Sequence, residues 1–197
     1  IIIFSITACL PKNVQVPQSP LLPVLERKSG LIAYIGLDGN IYITDQSGRT
    51  PSALTDDAAM PEDQSSPLRY YQNPTWSEDG SQLAFVAVNG EGGSQTLSEM
   101  YVTNVDDETS NKVYSSETEH PFYLYWSPDN ENVSFLSNDS TGQSLLLQSV
   151  SVNGGERVIL DSGSPYYWSW APDGNTMIVH SGNVNSTIPE HIAFLKV

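Results

Sequence analysis

From Leu31 onward the chain alternates short apolar runs with polar turns, and no stretch sustains the apolar repeat of an amphipathic helix. The runs LIAYI, NIYITD, QLAFVAV, EMYVTNV, NVSFLS, SLLLQSVSV, RVIL and TMIVH are rich in β-branched and aromatic residues, and Gly, Asn, Asp and Ser separate them. Residues of the first kind fit a pleated surface and residues of the second fit tight turns. The pattern predicts an all-β chain.

One motif recurs within that pattern: WSEDGSQLAF from Trp76, WSPDNENVSF from Trp126 and WAPDGNTMIV from Trp170, at intervals of 50 and 44 residues. A period of roughly 40–50 residues with four strands per copy is that of a β-propeller blade. From Tyr70 one copy reads as strands QNPTWS, QLAFVAV and EMYVTNV with a fourth near KVYSS, the glycines after QLAFVAV forming a loop. The next copy, from His120, reads FYLYWS, NVSFLS, SLLLQSV and ERVIL. The third opens with YYWSW and ends at HIAFLKV, one strand short, while GLIAYIGLDGNIYITDQSGRTPSALTDD reads as the last three strands of a blade. The expected fold is therefore a partial β-propeller of about four 4-stranded antiparallel blades, the first and last incomplete, with a C-terminal portion missing.

The motif's chemistry suits a hairpin. Pro128 and Pro172 preset φ for the first turn position, and Asp79, Asp129 and Asp173 accept backbone N–H groups within the turn. Gly80 and Gly174 supply the conformation the turn needs, and Asn130 stands in the corresponding place of the middle copy. Trp76, Trp126 and Trp170 are expected to fill the space between neighbouring sheets.

On these residues, Leu31 to Val197 resembles the repeat of TolB-like β-propellers, the extracytoplasmic relatives of WD-type propellers. It departs from W-S-P-D-G at Glu78, Asn130 and Ala171. The resemblance implies action through protein contacts at the cell envelope.

The start of the chain has another character. Residues 1–9, IIIFSITAC, are apolar up to Cys9 and resemble a truncated lipoprotein signal peptide, with Ile6, Thr7 and Ala8 as the lipobox before an acylated cysteine. The alternative is a buried strand with Cys9 as a core thiol. Residues 10–30 carry Pro11, Pro17, Pro20 and Pro23 and read as an extended tether between that anchor and the propeller at residues 31–197. Cys9 is the single cysteine, so no disulfide forms within the chain.

Charge narrows the partners. Eight Lys and Arg stand against 23 Asp and Glu, a net charge of −15, which is opposite to the basic footprint that nucleic acid requires. The expected partners are a protein or peptide at the envelope, and the membrane through the lipid anchor.

The chain contains no G-x-S-x-G elbow, H-E-x-x-H, P-loop or dinucleotide fingerprint. Asp56-Asp57 and Asp106-Asp107 read as solvated turn charges, and LDGN at Leu37 as a hairpin turn rather than a cation loop. His120, His180 and His191 lie far apart. Three N-x-S/T triplets begin at Asn132, Asn138 and Asn185, and in a bacterial lipoprotein they are coincidental. No cofactor or metal is expected.

One cluster invites a binding role. Tyr70, Tyr71, Phe122, Tyr123, Tyr166, Tyr167 and Trp168 gather just before the motif tryptophans, where the innermost strand begins near one mouth of the channel. They read either as packing between blades or as an aromatic mouth for a peptide or glycan, with Tyr123 and Tyr167 as the ligand-facing pair. The leading expectation is a non-enzymatic, lipid-anchored binding scaffold outside the cytoplasm. The runner-up is the gating propeller of a prolyl-oligopeptidase- or dipeptidyl-peptidase-type serine peptidase whose hydrolase domain follows. A propeller enzyme with a metal or polar site in its channel is a third reading, but no inward-facing set of carboxylates or histidines can be aligned for it.

Overall fold

The computed structural model describes residues 30–107, 109–182 and 189–197, and the described residues contain strands and turns but no helix. Cys9, most of the tether and the triplet at Asn185 lie outside them. Four antiparallel sheets follow one another along the chain, each with its strands in sequence order. The first holds β1 (Ile32–Ile35), β2 (Ile41–Thr44) and β3 (Ser52–Ala53). The second holds β4 (Pro67–Trp76), β5 (Gln82–Glu91), β6 (Ser94–Asn104) and β7 (Ser110–Ser116). The third holds β8 (Phe122–Trp126), β9 (Asn132–Asn138), β10 (Leu145–Ser151) and β11 (Val158–Gly163). The fourth holds β12 (Tyr166–Trp170), β13 (Thr176–Ser181) and β14 (His191–Lys196).

This is the expected propeller pattern of three, four, four and three strands, with one correction inside the second blade. The glycines after QLAFVAV do not form a loop: β5 and β6 stay paired out to Glu91 and Ser94. Only Gly92 and Gly93 turn the chain, at φ of +58° and +82°. Two successive residues of positive φ twist a two-residue hairpin in the same hand as the strands it joins, so the ladder continues to the tip.

The hydrophobic core is divided into three clusters that correspond to the three sheet-to-sheet interfaces. Trp76 packs with Ile41, Leu83 and Phe85 where the first two sheets meet. Trp126 joins Val86, Met100, Val102 and Phe135 between the second and third. Trp170 joins Leu136, Leu147 and Met177 between the third and fourth. Each motif tryptophan thus reaches back onto the preceding blade, which is why the motif recurs once per blade. Two of them are also fastened there: Trp126 Nε1 donates to the Thr75 carbonyl at 2.9 Å, and Trp170 Nε1 to Ser134 Oγ at 3.1 Å.

The hairpin chemistry is as read from the motif. Asp79, Asp129 and Asp173 accept the N–H groups of Ser81, Glu131 and Asn175 at 3.0, 3.0 and 2.9 Å. The Ser127 hydroxyl and the Glu131 N–H hold the Asp129 carboxyl below the ordinary aspartate range. Gly80, Asn130 and Gly174 share φ of +72°, +61° and +69°.

Two of the three departures from the motif turn out to be partners. Glu78 keeps a backbone N–H where the other copies have proline, and that N–H donates to Asn130 Oδ1 of the next blade at 2.8 Å. A glycine at position 130 would have no acceptor, and a proline at 78 no donor. Asn130→Gly is expected to cost about 0.5–1 kcal/mol, the net value of one hydrogen bond. The same substitution in a Glu78→Pro background should cost close to nothing. A urea-denaturation double-mutant cycle measures the coupling, and additive effects would refute it.

Candidate functional site: an aromatic groove between two inner strands

β8 and β12 are the first strands of adjacent sheets, and each has one side unpaired among the described residues. Side chains alternate across a strand, so one set from each points toward the blade interior and the other away from it. On β8, Leu124 and Trp126 are buried, whereas Tyr123 and Tyr125 are exposed. On β12, Tyr166 and Trp170 are buried, whereas Tyr167 is exposed. The outward rings line a groove of about 570 Å³ whose walls include Tyr123, Tyr125, Tyr167, Trp168, Leu136 and Pro165. Tyr123 and Tyr167, with fractional exposures of 70% and 60%, stand at its surface.

The seven aromatic residues singled out in the sequence therefore divide. Tyr71 and Tyr166 are buried, while Tyr70 and Phe122 pack against core clusters. Tyr166 donates to Asp161 Oδ2 at 2.7 Å, and burial together with that bond pushes its phenol well above the ordinary tyrosine value. For these four the packing account is the right one. Tyr123 and Tyr167 spend most of their surface on solvent, with Tyr123 also meeting Trp168 of the next blade at 6.2 Å between ring centroids.

Tyr123 is unusual in its backbone as well. Its φ is +58°, a region a bulky residue enters at a cost of about 1–2 kcal/mol. The cause is a register shift between Phe122 and Tyr125, which inserts a bulge into the β8–β9 ladder. β4 has the same shift between Gln72 and Thr75, with Asn73 at φ +56°. Both positions lie three residues before the motif tryptophan. Asn is among the residues that tolerate this conformation, and Tyr is not. β12 carries no such shift, and Tyr167 pairs in register with His180.

The groove floor is held by a residue that sequence reasoning passed over. Ser134, fully buried on β9, donates to the Tyr125 carbonyl at 2.8 Å. It accepts from Trp168 Nε1 at 3.0 Å and Trp170 Nε1 at 3.1 Å. One hydroxyl has one proton and two lone pairs, so this set uses all of its capacity. The Trp168 indole is thereby fixed beside Tyr123 and Tyr125, with centroids 6.2 and 6.4 Å away and planes tilted by 59° and 54°. The available signal was a serine where the other copies place Ala84 and Ile178.

Several of the remaining polar candidates have structural partners. Asp57 pairs with Arg69 at 2.8 Å and accepts from the Tyr71 hydroxyl, tying its loop to β4. Asp107 accepts from the Thr109 N–H at 3.1 Å, and Asp38 from the Asn40 N–H at 3.2 Å in the β1–β2 turn. His120 meets Ser98, His180 meets Glu190 and His191 meets the Pro189 carbonyl, so each histidine has its own neighbourhood. No group of three His, Cys, Asp or Glu side chains converges as a metal site among the described residues. Ser134 is buried within the triplet that begins at Asn132.

No protein-family model matches the chain, and no curated protein matches it. Solved structures do. TolB from Acinetobacter baumannii is 17% identical with a TM-score of 0.57, over 86% of this chain and 42% of that one. A puromycin-hydrolyzing peptidase of Mycobacterium tuberculosis is 11% identical with a TM-score of 0.62, over 86% of this chain and 28% of that one. The β-propeller domain of the Trilobed protease from Pyrococcus furiosus is 13% identical with a TM-score of 0.53, over 85% and 50%. This chain spans no more than half of each of the three. At such identities the likeness establishes the fold alone, which is that of a β-propeller.

Proposed function

We propose that this chain is a non-enzymatic β-propeller, held outside the cytoplasm of a bacterium by a lipid on Cys9, that binds a protein or peptide partner at the cell envelope. The observation that carries the reading is Tyr123, an exposed aromatic ring kept on a backbone conformation that disfavours it. Strain of that kind persists where function uses it. The groove beside it combines exposed rings with a fixed indole floor, a surface that suits peptide side chains and their apolar edges. The anchor and the envelope location rest on the resemblance of ITAC to a lipobox and of the blades to TolB-like repeats.

A second reading is favoured by the structural likeness to a peptidase and to a protease propeller domain. In it the chain is the gate of a serine peptidase and the chemistry belongs to another domain. Reading the coding sequence on both sides of this segment separates the two. A basic leader upstream and further blades downstream support the scaffold, whereas a downstream α/β domain with a G-x-S-x-G elbow overturns it. Binding itself is tested on an array of synthetic peptides. The chain is expected to retain a subset of peptides that the Tyr123→Ala/Tyr167→Ala variant releases, with an unchanged melting temperature. Identical retention by both proteins, or loss of folding in the variant alone, would sink the groove as the binding site.

A further inference from the structure

Ser134 accepts from the motif tryptophan Trp170, which makes it look like part of the fastening between the third and fourth blades. The preceding interface shows that such fastening needs no hydroxyl. There Ala84 takes the place of Ser134, paired with Thr75 as Ser134 is paired with Tyr125. Trp126 Nε1 donates straight to the Thr75 carbonyl at 2.9 Å. At the next interface Ser134 donates to the equivalent carbonyl, that of Tyr125, at 2.8 Å, so the bond from Trp170 reaches it through the hydroxyl. With alanine at position 134, the Trp170 N–H can take the Tyr125 carbonyl directly.

The two interfaces differ in the residue two places before the motif tryptophan. In the third blade it is Leu124, packed in one core cluster with Ala84 and Trp126. In the fourth it is Trp168. Leucine brings no donor, whereas the Trp168 indole brings one, and Ser134 accepts it at 3.0 Å. The serine thus stands where an indole N–H needs an acceptor, and alanine where none does.

That bond decides what the groove offers a ligand. It commits the Trp168 N–H to the protein, so the indole meets the groove as apolar surface held in one orientation. No residue lining the groove carries a charge, although the chain as a whole is at −15. A charged side chain entering it would lose water and find no counter-charge, whereas an aliphatic, aromatic or prolyl one gives up nothing polar.

We infer that Ser134 is a positioning residue for the ligand: by holding Trp168 it keeps the groove pre-organised for an uncharged, apolar segment of a peptide partner. This rests on reading the groove as the peptide site and adds the class of segment it accepts. Ordering a side chain only when the ligand arrives weakens affinity about three- to tenfold, which is the effect expected when the serine is removed.

The test sets Ser134→Ala, Trp168→Leu and the double variant beside the natural chain on the peptide array. Ser134→Ala should bind the retained peptides about three- to tenfold more weakly, with an unchanged melting temperature. The double variant copies the Ala84–Leu124 pair of the preceding interface, so it should fold, and it should bind no worse than Trp168→Leu alone. Hydrogen exchange of the indole N–H groups, followed by NMR, should show the Trp168 proton opened to exchange in Ser134→Ala while that of Trp170 stays protected. Glu or Lys placed where a retained peptide enters the groove should weaken its binding about tenfold. Lost protection at Trp170 with lowered melting would make Ser134 a fastener and overturn the proposal. Unchanged binding by Ser134→Ala, or retained peptides charged at their contact positions, would overturn it too. In each of those cases, release of peptides by Tyr123→Ala/Tyr167→Ala leaves the groove standing as the binding site; if the natural chain retains no peptide, both readings fail.

Discussion

Trp126→Ala is expected to destabilise the chain by about 3–5 kcal/mol, the range for removing a large aromatic ring from a packed core. Trp126 is 1% exposed and sits in the cluster that joins the second and third blades. Its Nε1–H also satisfies the Thr75 carbonyl of the neighbouring blade. The alanine variant therefore leaves both a cavity and an unpaired acceptor at a place where these sheets are fastened. Trp126→Phe keeps a ring while removing the donor, and should cost about 1–3 kcal/mol of the total. Urea denaturation of the two variants separates the terms. Equal losses would mean that the hydrogen bond carries the whole effect, and a loss below about 1 kcal/mol for alanine would show that the blades do not depend on the motif tryptophan. Trp76, only partly buried, should give a smaller loss on the same substitution.

The difference between these tryptophans also shows what could be read from the chain before its structure. The blade period was legible because the motif itself recurs at 50 and 44 residues, and hairpin turns because each depends on residues within about ten positions of one another, as in the run from Ser77 to Gln82. The Asn130 conformation was legible for the same reason. What escaped were contacts between blades. Glu78 and Asn130 are 52 positions apart, and Ser134 meets Trp168 and Trp170 at separations of 34 and 36. Each looks like a local irregularity until the neighbouring blade is in place. The bulge before the motif tryptophan was hidden differently. Asn73 suggests a left-handed residue, but Tyr123 in the equivalent position argues against one, so the two copies give opposing signals for a shared backbone. The groove was legible as a cluster of aromatic residues and not as a groove, because alternation along β8 and β12 decides which rings face out.

That opposition supplies the sharpest test of the site. Tyr123→Asn should raise stability by about 0.5–1.5 kcal/mol, because it removes the cost of a bulky residue in the left-handed region. It is also expected to lower binding of the array peptides at least tenfold. Little packing is lost with the ring, which is 70% exposed and stands 6.2 Å from Trp168 between ring centroids. Asn73→Tyr is the mirror experiment on β4, where the same bulge carries the residue that suits it, and should cost about 1–2 kcal/mol without affecting binding. A ring selected for packing would behave otherwise: Tyr123→Asn would destabilise the chain and binding would follow stability. Gain of stability with loss of binding is the signature of a residue kept for its ligand, since a fold under no other demand would have placed asparagine at both bulges.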